Sequence, residues 1–197
     1  MGSRADNRPR ILVTGFGPFP GVPDNPTGGL VRSLPSHLLG LKVHRWVLPV
    51  SWQRGPEHLA RAVDRVVPHL VLMLGVGRAN ALELQAYNRM DGRPDVDDEL
   101  RLPGPIMPTR ATDHALRCGW PVPELVGQMR GRGHELVVSR DAGRYLCNAC
   151  FYRSFELPAT AGSGFLHVAP GPYQGLSDPR RLLLTDLIRA LDLWLRT

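Results

Sequence analysis

A single α/β domain, with a mixed and mostly parallel sheet covered by helices on both faces, is the fold class this sequence predicts. Three observations lead there. The chain has 197 residues, enough for one well-filled core and too few for two ordinary domains. Hydrophobic residues make up 43% and charged residues 21%, a globular balance with no run of about 18 apolar residues able to cross a membrane. Short apolar runs alternate with segments of helical spacing almost from end to end, which calls for an α/β/α sandwich.

In chain order, residues 1–9 are expected to be a flexible start and 10–197 the domain. Five apolar runs read as buried strands: Ile11–Val13, Val43–Val47, Leu70–Leu74, Glu135–Val138 and Phe165–Val168. After the first, Leu30, Val31, Leu34 and Leu38 make a helical stripe that stops near Gly40, with Pro35 inside it as a potential break. Leu59, Ala62, Val63, Val66 and Val67 form a second stripe between Pro56 and Pro68. Pro123–Arg130 is a short third helix and Cys147–Phe155 a fourth. Leu183, Leu184, Leu187, Leu191 and Trp194 line a long C-terminal helix, opened by Ser177-Asp178-Pro179 as N-cap and first-turn proline. The stretch from Asn88 to Pro121 is the exception, rich in Pro, Gly and Asp and poor in periodicity. Loops of that length are lids, subunit contacts or irregular hairpins.

Composition also excludes some functions. The 24 basic and 18 acidic residues leave a charge of +6, and all the basic residues but Lys42 are arginine. The arginines are scattered, with no run beyond Arg180-Arg181 and few interleaved aromatics, so no nucleic-acid partner is expected. Three cysteines cannot build a disulfide framework. The opening residues lack the apolar core of a signal peptide, so the expected setting is a reducing cytoplasm with no membrane association.

Three places could carry chemistry, each where a strand ends, which is where open α/β sheets bind ligands. Thr14-Gly15-Phe16-Gly17-Pro18-Phe19, followed by Asn25-Pro26-Thr27, is a glycine turn that fits neither dinucleotide nor P-loop spacing. Phe16 and Phe19 can wall an apolar pocket or simply pack the loop. Cys147 sits at the start of a helix, where the dipole favours thiolate, beside Arg140 and Arg144. A buried structural cysteine, or a redox pair with Cys150, is the other reading. His167 lies at the exit of an apolar strand, where an imidazole needs a partner. A right-handed crossover would bring its strand beside Glu135–Val138, and so bring His167 to Cys147. Glu83, an acid among apolar neighbours just past the third strand, could orient the histidine or face solvent on a helix.

These residues resemble the pyroglutamyl peptidase I family of cysteine peptidases, over residues 10–195. Ser139–Cys147 carries the family's S-x-D-A-G-R-Y-L-C. The V-T-G-F-G-P-F start with a later Asn-Pro is nearly as specific, and Glu83–Asn88 and Phe165–Val168 match two further segments. The resemblance implies Cys147 as nucleophile, His167 as base, Glu83 as its orienting carboxylate, and Arg93 with the Cys147 amide as oxyanion partners. Phe16, Phe19 and Asn25 would line the pyroglutamate pocket, with Tyr145 and Leu146 as further walls. It implies no cofactor and no metal, and the sequence shows no H-E-x-x-H. The partners would be peptides with N-terminal pyroglutamate. Both a homo-oligomer, tetrameric in some members, and a monomer stay open. Three departures stand out: Gly75-Val76-Gly77-Arg78 reaches Glu83 early, Leu84 replaces an arginine, and Val168-Ala169-Pro170-Gly171-Pro172 is loose after the histidine. The alternatives are another Cys-His amidohydrolase on the same fold, or a non-catalytic binding module with a basic surface.

Overall fold

The computed structural model describes residues 7–91, 102–159 and 161–197. The flexible start expected for 1–9 therefore lies outside the described residues apart from 7–9, and so does Arg93. In order, the elements are β1 (Arg10–Phe16), α1 (Pro26–Ser33), β2 (His37–Leu38), β3 (Leu41–Leu48), α2 (Arg54–Val66), β4 (Leu70–Val76), β5 (Ala81–Glu83) and β6 (Gln85–Tyr87). Then come β7 (Ala115–Arg117), α3 (Val122–Gly131), β8 (Val137–Ser139), α4 (Leu146–Ser154), β9 (Ser163–Val168) and α5 (Pro179–Trp194). Seven strands form one sheet in the order β2-β3-β1-β4-β9-β5-β8, and β6 pairs with β7 in a separate arm.

The sheet is mixed and mostly parallel. β1 runs parallel to β3 and β4, and β4 parallel to β9. Their central residues, such as Ile11, Leu12, Leu72, Met73, Phe165 and Leu166, are fully buried. That is the pattern of strands covered on both faces, and it explains why they read as continuous apolar runs.

Three departures from the sequence reading have local causes. Helix α1 stops at Ser33 instead of reaching Leu38, because Leu34 precedes Pro35 and takes an extended conformation at φ −68° and ψ 142°. His37–Leu38 then folds back as β2, antiparallel to β3, through Leu39 at φ 51°. Helix α2 begins at Arg54, before Pro56, which is tolerated in a first turn where its missing N–H has no intrahelical acceptor. The fourth predicted strand is shifted to Val137–Ser139, while Leu136 lends its carbonyl to Arg130 Nε at 2.7 Å.

The larger correction concerns neighbours. β9 does not lie beside β8; β5 stands between them, parallel to β8 and antiparallel to β9. Glu83 is accordingly on a buried strand, not a solvated helix. At the C-terminus, the Asp178 side chain accepts from the Arg180 amide at 2.9 Å and Pro179 occupies the first turn, as the sequence signal indicates.

Candidate active site

Register brings the titrating residues together. In the sheet, His167 pairs with Gly75 on one side and with Ala81 on the other. Glu83 is thus on the strand next to His167, and its Oε1 lies 2.8 Å from His167 Nδ1. Glu83 is 1% exposed and His167 11%, so the bond is made away from water, where a charge-assisted contact is strongest. The Cys147 side chain is the other group that acts on the imidazole. With Nδ1 taken by Glu83, Nε2 is the nitrogen left for the sulfur.

Burial by itself would discourage the imidazolium. The hydrogen bonds to Cys147 and Glu83, and their negative charge, outweigh that burial and push His167 up to about 10. The other two thiols behave differently. Burial pushes Cys118 up to about 12, and it pushes Cys150, which is fully buried, up further still. All three cysteines are free. Only Cys147 combines partial exposure with a histidine, which disfavours the redox-pair reading.

Cys147 is the second residue of α4. The loop before it is built to aim that helix. The Asp141 carboxylate accepts from the Gly143 amide at 3.0 Å, and Gly143 takes φ +84°, a conformation that suits glycine. Arg89 bridges this loop to the β6–β7 arm through Asp141 at 2.8 Å and Asp113 at 3.2 Å. Asn148, fully buried beside the nucleophile, donates to the carbonyls of Tyr87 and Arg89 and accepts from the Tyr87 amide. Asn88, also fully buried, satisfies the carbonyls of Met107, Arg110 and Ala111 and the amide of Met107. Part of the aperiodic 88–121 stretch is therefore held by two asparagines and an arginine rather than by its own periodicity. Sequence reasoning did not assign Arg89 or Asn148 a role, because a polar residue on a strand end or helix reads as solvated until its partners are known.

The glycines at 75 and 77 have a steric reason. A Cβ at Gly75 would lie 2.7 Å from Cys147 Sγ, and one at Gly77 would lie 2.8 Å from His167 Cβ. Both are places where the nucleophile and base press on backbone.

Beside the sulfur is a cavity of about 80 Å³, walled by Phe16, Phe19, Tyr145 and Leu146, with Asn25 and Cys147 at its polar side. Val50 and Val76 complete the wall and were not singled out from the sequence. Trp52 braces Tyr145 edge-on at 5.0 Å between ring centres. Asn25 has a second job that its sequence position hides: it caps α1, its Oδ1 accepting from the Thr27 amide at 3.1 Å and the Thr27 hydroxyl at 2.7 Å, while Nδ2 donates to the Gly17 carbonyl. The amide still has one N–H to offer a ligand. A larger cleft of about 350 Å³ lies between α2 and α4, bordered by Trp52, Pro56, Ala149 and Arg153, and holds none of the titrating residues above. Among the described residues, no helix is long and apolar enough to cross a membrane.

Comparison with known proteins places the chain in a family. Residues 9–191 match the family model described as pyroglutamyl peptidase. The chain is 34% identical over 174 residues to the pyrrolidone-carboxylate peptidase of Pyrococcus furiosus, spanning 84% of this chain and 83% of that protein. It is 32% identical over 197 residues to the protein of the same name from Thermococcus onnurineus, spanning 95% and 98%. Among solved structures, it is similar to pyrrolidone carboxyl peptidase from Thermococcus litoralis, with a TM-score of 0.85 at 25% identity over 95% of this chain and 96% of the other. The enzyme from Thermus thermophilus gives 0.78 at 34% identity over 92% and 98%.

Proposed function

This chain belongs to the pyroglutamyl peptidase family of hydrolases, and we propose that it removes N-terminal pyroglutamate from peptides through a Cys147–His167–Glu83 triad. The observation that carries the reading is the buried Glu83–His167 hydrogen bond, with the Cys147 side chain acting on the same imidazole, beside a small apolar cavity that Cys147 lines and that has one amide side chain at its edge. A pyroglutamyl residue has no charged amino group. Its ring suits apolar walls, and its lactam suits a few amide partners. Phe16, Phe19, Tyr145 and Leu146 serve as walls, and the free N–H of Asn25 donates to the lactam carbonyl.

The steps follow from the parts. Cys147 thiolate attacks the pyroglutamyl carbonyl, forming a thioester, while the C–N bond breaks and the imidazolium gives its proton to the leaving amine. Water, deprotonated by the now neutral His167, cleaves the thioester and returns the sulfur. Glu83 holds Nδ1–H and keeps the ring oriented in both steps. The Cys147 amide, among the first N–H groups of α4, has no acceptor within its own helix and stabilises the oxyanion. The role given to Arg93 rests on the sequence alone. A reducing compartment suits an enzyme with three free thiols.

The test compares pyroglutamyl, alanyl and prolyl p-nitroanilides. Cleavage of the first alone supports the reading. Comparable cleavage of all three points to a broader Cys-His amidohydrolase, and cleavage of none, with retained binding to nucleic acid that weakens in salt, to a binding module.

A further inference from the structure

The strand that carries His167 runs out into Val168-Ala169-Pro170-Gly171-Pro172, a segment ill-suited to holding itself. Two of its five residues lack an N–H, and Gly171 adopts φ +113°, so it cannot continue a strand ladder. Three of its carbonyls are nevertheless satisfied by one side chain from the next helix. Arg180 Nη1 donates to the carbonyls of Ala169 at 2.9 Å and Gly171 at 3.0 Å, and Nη2 donates to that of Pro172 at 2.6 Å. The remaining donors fork onto Asp178, with Nε to Oδ1 at 2.9 Å and Nη2 to Oδ2 at 2.6 Å. All three nitrogens of the guanidinium are engaged. The side chains are 8% and 0% exposed, far from the water-screened surface pairs that contribute little. Asp178 is held on its other side by the amides of Gln174 and Arg180.

Ala169 is thereby gripped at both ends of its peptide groups. Its carbonyl is on Arg180, and its amide donates to Asn80 Oδ1 at 2.8 Å. Asn80 immediately precedes β5, the strand that bears Glu83. Val168, between Ala169 and His167, accepts from the Gly77 amide at 2.9 Å. A single path therefore joins the guanidinium to the backbone of both His167 and Glu83. We propose that the Asp178–Arg180 pair is a positioning device for the base, holding the end of β9 so that the His167 ring meets Glu83 and Cys147. The pair acts through the backbone and not by its charge; the charged groups acting on His167 are Cys147 from α4 and Glu83 from β5. The inference rests on the reading of Cys147 and His167 as nucleophile and base.

The test uses the full chain carrying Arg180→Met, with Asp178→Asn/Arg180→Met as a second variant that leaves no unpaired buried carboxylate. Folding is checked by circular dichroism and Tm. The deciding readout is the rate of inactivation by iodoacetamide against pH, which reports the sulfur–imidazole pair without any substrate. In folded variants the profile should move by at least about one pH unit towards that of an ordinary thiol near 8.5. With pyroglutamyl p-nitroanilide, kcat should fall by about tenfold or more, with KM changing much less, because the cavity walls are untouched. Arg180→Lys keeps the charge but not the fork, and should behave like Arg180→Met. A lower Tm with an unmoved profile and unmoved kcat would overturn the proposal, as would wild-type behaviour of Arg180→Lys. Should wild type fail to cleave the pyroglutamyl amide, the proposed function falls, while the inactivation profile still decides whether the pair positions His167.

Discussion

Gly75→Ala would set a methyl group 2.7 Å from Cys147 Sγ and 2.8 Å from the Phe165 ring. An ordinary contact at this position begins near 3.4 Å, so the sulfur or the strand must give by about 0.7 Å. Neither has slack. Phe165 is fully buried against Phe151, and Gly75 is in register with His167 within the sheet. Sulfur is the softer side, since Cys147 is partly exposed, and it should move towards the cavity and away from the imidazole. Overpacking of this kind costs about 1–3 kcal/mol of stability. The catalytic effect should be larger, since a misplacement of about 1 Å can cost on the order of a hundredfold in rate. The assay is kcat/KM on pyroglutamyl p-nitroanilide alongside Tm, with Gly127→Ala as control, because a Cβ there meets nothing within 4 Å beyond its own helix and chain neighbours. A folded Gly75→Ala enzyme with kcat/KM within twofold of wild type would refute the idea that backbone at 75 sets the place of the nucleophile.

Cys147→Ser should abolish turnover, while Cys118→Ser and Cys150→Ser, at buried thiols pushed upward by their surroundings, should keep most of it; equal damage from a folded Cys150→Ser would restore the redox-pair reading. His167 is raised from 6.5 to about 10, so the stability drawn from its charged form is complete below about 6.5 and is lost as pH rises through about 10. Wild-type Tm should therefore fall between pH 7 and 10 more steeply than that of His167→Ala, and parallel slopes would contradict a charged imidazole. Asn25→Asp should keep the cap on Thr27 but lose the donation to the Gly17 carbonyl, and Asn25→Ala should lose both, so each should cost about 1 kcal/mol or more. Both should lose selectivity for pyroglutamyl over prolyl amides, and selectivity retained in Asn25→Asp would move lactam recognition elsewhere.

Much of this molecule was legible in its sequence because the deciding interactions are short-range. The stripes of α2 and α5, the Asp178-Pro179 helix start and the apolar runs of β1, β4 and β9 follow from periodicity and capping, which act within a turn or a strand. The placement of Cys147 at a helix start was equally local, and the resemblance of Ser139–Cys147 and Phe165–Val168 named the chemistry. What lay beyond the sequence depends on partners distant in the chain. A three-residue strand such as β5 has too little periodicity to announce itself, and its insertion between β9 and β8 decides that Glu83 is buried beside His167. Gly75 and Gly77 stood out in the sequence only as a segment that reaches Glu83 early, yet their purpose is the space left for a sulfur and an imidazole from two other elements. Asn25 looked like a pocket residue and is also a helix cap. Arg180 stood out in the sequence only as half of the Arg180-Arg181 pair, until the fold closed a proline-rich carbonyl path around it. Periodicity records which face of an element is buried, and only the packed chain decides what each buried polar atom meets there.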